Sequence, residues 1–430
     1  MQAEFRARAN RAGEACLRAI ASSLLLLALS AAQISAQTVN QTPQTDAAAE
    51  ERRELERLNQ RLAKNQTYLP GLMWTLTHAY EDKKAVDEML QLLVSFFTAA
   101  QKNDEAALKK IGGVKGFKQR LTAFLDHQDG TVSGSSAMLL GIMGDERDVP
   151  AIAKMLTDAA PATLKNSRAK SPSLARGRAA TALALLEARE YIPELVKLLG
   201  SDNPYDRSGA VSALALMKAG TEVKHIAALL ETEHARDDDP GGHVRVAVID
   251  ALVSFGAKEY LPQIVKAMLA ESYFEATEAA IYGIVKLGGR AYAGEIAKLL
   301  DDRASKEHAA IALALVGAGE YAKEIAQLLS DGEPRNREAA MLALGILNAK
   351  EYAPRIARHL RTDKSWRRDS AALALVLMEA RQYRSQIMAT LGKSELGLKA
   401  NLHLPPRFDE EREHLRKRLE TSYKLLRENR

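Results

Sequence analysis

Two clusters of polar residues have the types and spacing that chemistry requires, and the first of them is basic. Residues 159–186 contain five cations and no acidic residue. The cations are Lys165, Arg168, Lys170, Arg176 and Arg178. A loop with this charge would meet an anionic ligand or partner, nucleic acid included. The competing interpretation is a solvated connection between two helices, with the last two cations in ordinary helix positions.

The second cluster is rich in histidine and aspartate and lies in residues 234–243. Its candidate metal ligands are His234, Asp237, Asp238 and His243. Such side chains suit a hard or borderline cation, but their order lacks the alternate spacing and the closing glutamate of a calcium-binding loop. A helix-capping turn, with Asp239 before Pro240, explains the same residues. We therefore predict no metal site here.

Motifs typical of catalysis are missing from the sequence. It contains no phosphate-binding loop, no HExxH and no GxSxG. The single cysteine is Cys16. Net charge is +5, of which residues 1–36 contribute +2 through four arginines and two glutamates, and the near balance of the rest argues against nucleic acid as the main partner. We predict a protein that is not an enzyme and has no cofactor.

The N-terminus has the pattern of a secretion signal. Four arginines precede an apolar run at residues 19–32, which is too short to span a bilayer as a helix. A plausible cleavage site lies just before Gln37. The pattern predicts a signal peptide over residues 1–36, a flexible linker over residues 37–49, and a mature protein that is periplasmic or secreted.

The rest of the chain is dominated by a self-similar unit, most often 31 residues long. Near copies begin at Tyr292 (YAGEIAKLL), Tyr321 (YAKEIAQLL) and Tyr352 (YAPRIARHL). We call these first residues anchors, and the others are Phe117, Asp148, Tyr191, Glu222, Tyr260 and Tyr383. Aliphatic residues four and eight positions after each anchor share one face of a first helix, and another aliphatic eight positions before the next anchor marks a second helix. The residue nine positions before the next anchor is small in most units, which lets neighbouring helices approach closely.

This unit resembles the HEAT repeat. A basic residue opens the second helix fifteen positions before the next anchor, and Ala-Ala and Ala-Leu pairs follow it. These basic positions are Arg176, Arg207, Arg245, Lys306, Arg337 and Arg368. The unit is most similar to the short HEAT-like repeats named after phycobilisome lyases. The resemblance covers residues 117–391 and implies an all-α fold, a right-handed α-solenoid of helical hairpins.

The segments that flank the repeats are predicted to be helical caps. Residues 50–116 form the N-terminal cap, and residues 392–430 contain a charged helix after Pro405-Pro406. A charged capping helix is one interpretation of this C-terminal segment, and a docking helix for a partner is the other.

These features predict an exported HEAT-repeat scaffold for protein–protein interaction. Its second helices would line a concave polar surface suited to an extended protein partner. Two alternatives stay open. One is a cofactor-handling enzyme similar to the phycobilisome lyases, and the other is binding of an anionic ligand or nucleic acid through residues 165–178.

Overall fold

The computed structural model describes residues 46–78, 82–102, 104–157, 174–233, 239, 242–270, 274–361, 365–391, 404 and 406–428. Every regular element in these ranges is a helix, which confirms the predicted all-α class. Four α-helices precede the first anchor: α1 (Asp46–Lys64), α2 (Leu69–His78), α3 (Lys83–Gln101) and α4 (Glu105–Ile111).

From residue 113 onward, the helices alternate as first and second members of hairpins. The first helices are α5 (Gly113–Ala123), α7 (Val149–Thr157), α9 (Ile192–Leu198), α11 (Val223–Thr232), α13 (Leu261–Ala270), α15 (Ala293–Lys298), α17 (Ala322–Gln327), α19 (Ala353–Ala357) and α21 (Arg384–Leu391). The second helices are α6 (Gly130–Met143), α8 (Ala175–Leu185), α10 (Pro204–Leu216), α12 (His243–Phe255), α14 (Phe274–Lys286), α16 (Lys306–Leu315), α18 (Pro334–Ile346) and α20 (Ser365–Leu377). A separate helix, α22 (Asp409–Arg427), follows the repeats.

The chain divides into two compact units, Met1–Ile226 and Ala227–Arg430. In the first unit, second helix α8 packs between second helices α6 and α10. In the second unit, α18 packs in the same way between α16 and α20. A single hairpin cannot bury its apolar face alone, so this stacking of neighbours supplies the core within each unit.

The aliphatic positions of the repeat form the core, as their spacing predicts. All nine residues found four positions after an anchor have an exposed fraction of 0%. They are Leu121, Ile152, Leu195, Ile226, Ile264, Ile296, Ile325, Ile356 and Ile387. The residues eight positions before the next anchor, such as Leu313 and Leu344, are buried to the same degree. The register assigned from the sequence is therefore the register of the structure.

Small residues allow consecutive second helices to approach closely. A Cβ atom added to Gly141 on α6 would lie 2.6 Å from the Cα of Ala182 on α8. A Cβ added to Gly345 on α18 would lie 2.9 Å from the Cα of Ala374 on α20. Real Cβ atoms do not come this close to backbone, so glycine is needed at these two positions, each of which lies opposite an alanine nine positions before the next anchor.

A left-handed residue ends most second helices and redirects the chain. It lies four positions before the anchor, and a 3₁₀ turn ending at the anchor follows it. Glycine fills this position at residues 256, 288 and 317, whereas Lys218 (φ 52°) and Asn348 (φ 56°) are not glycine. Because a Cβ atom makes this conformation costly, the non-glycine residues hold local strain.

We expect Lys218→Gly to stabilise the chain by about 0.5–1 kcal/mol, because glycine adopts φ 52° without a Cβ clash. Denaturant unfolding would measure the change. Lys218→Ala removes the same exposed side chain but keeps the Cβ, so it should leave stability nearly unchanged. Destabilisation by the glycine variant would show that the strain is not relieved.

Candidate protein-binding surface

The basic residues that open the second helices bind the turn before their own helix. The Arg207 side chain is fully buried, and its Nη1 donates to the Ser201 carbonyl at 2.8 Å. Arg337 Nη1 donates to the carbonyls of Asp331 and, at 2.8 Å, of Gly332. These contacts satisfy carbonyl groups that would otherwise be unpaired in the turn between two helices of a hairpin.

Two of the basic positions reach the next hairpin as well. Lys306 Nζ lies 3.1 Å from the Asp331 carboxylate, which belongs to the turn of the following repeat. Arg176 Nη2 lies 2.5 Å from the buried Asp206 carboxylate, again one repeat further on. The other two basic positions also have packing roles. Arg245 donates to the Glu233 carbonyl at 3.2 Å. Arg368 is half-buried and has an interaction partner. These residues tie the hairpins together.

Asp331 gives this network a pH dependence. Its carboxylate accepts from the Glu333 amide at 2.8 Å and from Asn336 at 3.0 Å, and it pairs with Lys306. These bonds lower the pKa of Asp331 to about 2, with the Glu333 amide as the largest cause. A depressed pKa means that the stabilisation is fully present above the unfolded value of 3.8 and is lost as pH falls through about 2.

We therefore expect Asp331→Asn to destabilise the chain by about 1–2 kcal/mol at pH 7, because it removes the charged acceptor. The difference from wild type should shrink as pH falls from 4 toward 2, since the wild-type carboxylate becomes protonated there. Urea unfolding of both proteins across this pH range would measure it. A difference that stays constant with pH would contradict the assignment.

The described part of the basic cluster is built into the fold. Arg178, on α8, donates to the hydroxyl groups of Ser135 at 2.7 Å and Thr75 at 2.8 Å. Burial lowers the pKa of Arg178 to about 10. Arg176 pairs with Asp206, so both arginines face packed helices. Lys165, Arg168 and Lys170 lie outside the described residues.

The histidine–aspartate cluster contributes a helix cap. Asp239 is 2% exposed, and its carboxylate accepts from the amides of His243 at 3.0 Å and Val244 at 2.9 Å. This is a capping arrangement of the kind predicted for Asp239. The other candidate ligands, His234, Asp237 and Asp238, lie outside the described residues. Among the residues that are described, no group of three His, Cys, Asp or Glu side chains could hold a metal ion.

Helix α22 is not placed as a simple cap at the end of the repeats. One face of this helix is buried, and its members are Leu415, Leu419, Ser422 and Leu426. Just before the helix, the Phe408 ring meets the Tyr282 ring of α14 edge-on, with centroids 5.5 Å apart. Helix α22 packs most extensively on second helix α20. It therefore lies on second helices of the repeats.

Ion pairs hold the amino end of α22 to α12 and α14. Lys286 Nζ lies 2.6 Å from Glu410 and 3.0 Å from Glu411, and the hydrogen bond from Lys286 lowers the pKa of Glu410. Arg407 pairs with Asp250 on α12. The two glutamates also lie in the first turn of α22, where the helix dipole favours negative charge.

Arginine–carbonyl bonds hold the middle and the carboxyl end of α22. Arg418 donates to the Ile346 carbonyl at 2.9 Å and to the Leu377 carbonyl at 3.3 Å, the last residues of α18 and α20. Arg384 on α21 donates to the Leu426 carbonyl at 2.7 Å. Helix α22 thus crosses the carboxyl ends of successive second helices and uses their free carbonyl groups as acceptors.

Helix α1 is placed similarly in the first unit. Asn65 Nδ2, just after the helix, donates to the Ile142 carbonyl near the carboxyl end of α6 at 3.1 Å. Lys64 pairs at 2.9 Å with Glu187, the left-handed residue that follows α8. We call the carboxyl ends of the second helices, together with the turns that follow them, the second-helix surface. In each unit, this surface binds a 19-residue helix.

The second-helix surface has the features needed to bind an amphipathic helix, and such binding requires no catalytic residue. It offers apolar side chains for the buried stripe, free carbonyl groups for arginine donors and a lysine for acidic residues at the helix start. Sequence reasoning placed a partner on the second helices but missed that the chain's own helices lie there. In the described ranges, no helix has the length and apolar content needed to cross a membrane.

Comparison with known proteins supports the repeat assignment. Residues 294–376 match the family model for HEAT repeats. The comparison with curated protein sequences finds no match. The complex of CpcE and CpcF of phycocyanin lyase from Nostoc sp. PCC7120 is similar at 19% identity over 72% of this chain and 94% of that chain, with a TM-score of 0.34.

Two other solved structures are similar at low identity. Human deoxyhypusine hydroxylase in complex with glycerol is 21% identical over 67% of this chain and 99% of that chain, with a TM-score of 0.25. A mutant of Kap121p is 13% identical over 94% of this chain and 45% of that chain, with a TM-score of 0.37. The family match spans the hairpins from α15 to α20, whose anchors, buried aliphatics and opening basic residues recur along the array. Residues 294–376 are HEAT repeats, and the hairpins on either side of them follow the same pattern.

Proposed function

We propose that this chain is a scaffold that binds another protein, and that it takes a helical segment of that protein on its second-helix surface. The observation that carries the proposal is the seating of α22 across the carboxyl ends of α18 and α20, where Arg418 bonds to both helix ends. A surface that holds one amphipathic helix has the chemistry to hold another of the same pattern.

The composition of the contacts supports a reversible interaction. The buried stripe of α22 has three leucines and one serine, and the contacts of Glu410, Glu411 and Arg418 beside it are polar. Polar contacts between an exposed helix and carbonyl groups contribute modestly to affinity because both sides are hydrated when separated. A partner helix with a better apolar stripe would compete with α22 for the surface.

The proposed role is non-catalytic and extracytoplasmic. The absence of catalytic motifs from the sequence supports a non-catalytic role. Residues 1–36 contain basic residues, then an apolar run and then small residues, and this order supports export. Cell fractionation with sequencing of the mature N-terminus tests the location. A product that begins near Gln37 in the envelope fraction agrees with export, and an uncleaved cytoplasmic product contradicts it.

A comparative capture experiment tests the binding role. Tagged wild type, Leu419→Asp and Leu425→Asp would be cross-linked in an envelope fraction of the native host, and the captured proteins would be quantified. The first variant changes the buried face of α22, whereas Leu425 is 37% exposed on the same helix. We expect Leu419→Asp alone to capture more of a partner. Equal capture by all three proteins, or no reproducible capture, would contradict the proposal.

A further inference from the structure

A cleft in the first unit has a composition that the scaffold role does not explain. It has a volume of about 330 Å³ and lies between α1 and the ends of α5, α6 and α8. Its apolar lining consists of Leu58, Val114, Met143 and Leu185, each at most 9% exposed. The size is within the range of small-molecule sites, and an apolar floor is typical of them.

One wall of the cleft is a closed ion-pair network. Lys118 Nζ lies 2.9 Å from Asp145 and 2.6 Å from Asp148. Arg147 Nη2 lies 2.7 Å from Asp145 and 3.1 Å from Glu54. These cations hold the pKa of Asp145 well below its usual range, with Arg147 as the largest cause. The ion pairs therefore balance the negative charges of this wall and hold its side chains in place.

The opposite wall carries three cations, and a carboxylate that acts on them is Glu187 at its edge, whose pKa is lowered mainly by Lys64 and also by Arg61. Arg57 and Arg61 both line the cleft, and their spacing of four places them side by side on α1. Within the described residues, neither has a carboxylate within ion-pairing distance or a side-chain hydrogen bond. Lys64, the third cation of this wall, is already paired with Glu187. Like charges at this spacing destabilise a helix unless an anion lies between them.

We propose that this cleft binds a small organic carboxylate. Its apolar body would lie on the floor formed by Leu58, Val114 and Met143, and its carboxylate would accept hydrogen bonds from Arg57 and Arg61. Guanidinium groups match the planar geometry of a carboxylate and form its strongest hydrogen bonds in proteins. A more highly charged anion fits less well, because most of the lining atoms available to it are apolar or already paired.

The test compares a carboxylate with its neutral isostere on the full chain. Calorimetry would measure binding of 4-phenylbutyrate and of 4-phenylbutyramide at millimolar concentrations. We expect the amide to bind at least about 10-fold more weakly, since it loses the charge-assisted bonds. The double variant Arg57→Gln, Arg61→Gln should bind the carboxylate about as weakly as the wild type binds the amide. Its thermal unfolding temperature should equal that of the wild type.

Arg53→Gln is the matched control, because it removes one positive charge from the same helix at an exposed position outside the cleft. It should bind the carboxylate like wild type. Equal binding of acid and amide, or no binding of either, would overturn the proposal, and so would a double variant that behaves like Arg53→Gln. If only a peptide with a C-terminal leucine bound, the site would belong to a protein partner, and the small-molecule proposal would fail.

Discussion

Leu419→Asp is expected to release α22 from the repeats while the hairpins stay folded. Leu419 has an exposed fraction of 0% and lies in the middle of the buried stripe. A carboxylate buried there without a partner costs about 3–5 kcal/mol, whereas the exposed state of the helix hydrates it freely. Hydrogen exchange should show the amides of residues 409–427 losing protection by more than about 100-fold.

The matched change on the other face separates release from general damage. Leu425→Asp introduces the same charge on α22 at a side chain that is 37% exposed, so protection of the helix should change little. Protection of the hairpins, for example α16 and α18, should be equal in both variants. If Leu419→Asp left α22 fully protected, the packing of its leucine stripe against the second helices would be wrong.

Leu313→Ala is expected to destabilise the second unit by about 2–5 kcal/mol. The side chain has an exposed fraction of 0% in α16, and it lies eight positions before an anchor, where every hairpin places a large aliphatic. Truncation leaves a cavity that the neighbouring helices α15 and α18 could fill only by shifting toward it, which the rest of their packing opposes. Thermal or denaturant unfolding would measure the loss.

Leu216→Ala supplies the comparison, because Leu216 ends second helix α10 but is 42% exposed. Its loss should cost well under 1 kcal/mol. Similar losses for the two variants would mean that the buried register has been assigned to the wrong residues.

The repeat was predictable because its signal is local and repeated. Each anchor fixes the positions of an aliphatic four residues later and of another before the next anchor, and helical periodicity converts this spacing into one buried face. Nine copies of the pattern average out departures in single units, such as Thr277 in place of the opening basic residue. The buried side chains at these positions follow directly.

The seating of α22 was not predictable in the same way. Its apolar stripe of Leu415, Leu419 and Leu426 is visible in the sequence and indicates a buried face. The surface it covers depends on contacts such as Lys286 with Glu410, which are 124 positions apart and occur once. A single sequence holds no periodic signal for a pair of that kind, so capping and docking could not be separated.

The basic residues show a second limit of sequence reasoning. Arg176 and Arg178 have the composition of an anion-binding loop, yet one pairs with a buried carboxylate and the other with two hydroxyl groups. Arg57 and Arg61 lie in a helix with many charges of both signs, so the sequence does not distinguish them from their charged neighbours. Only the positions of the acidic partners distinguish paired cations from unpaired ones, and those positions are set by tertiary packing.

The most direct measurement is binding of a labelled peptide of residues 406–428 to the Leu419→Asp chain, followed by fluorescence anisotropy. The second-helix surface is expected to bind the wild-type peptide saturably, because the chain's own helix no longer occupies it. A peptide with the Leu419→Asp change should not bind. If hydrogen exchange shows that the helix is released and the hairpins are folded, and the wild-type peptide still does not bind, then the second-helix surface is not a site for a helical partner.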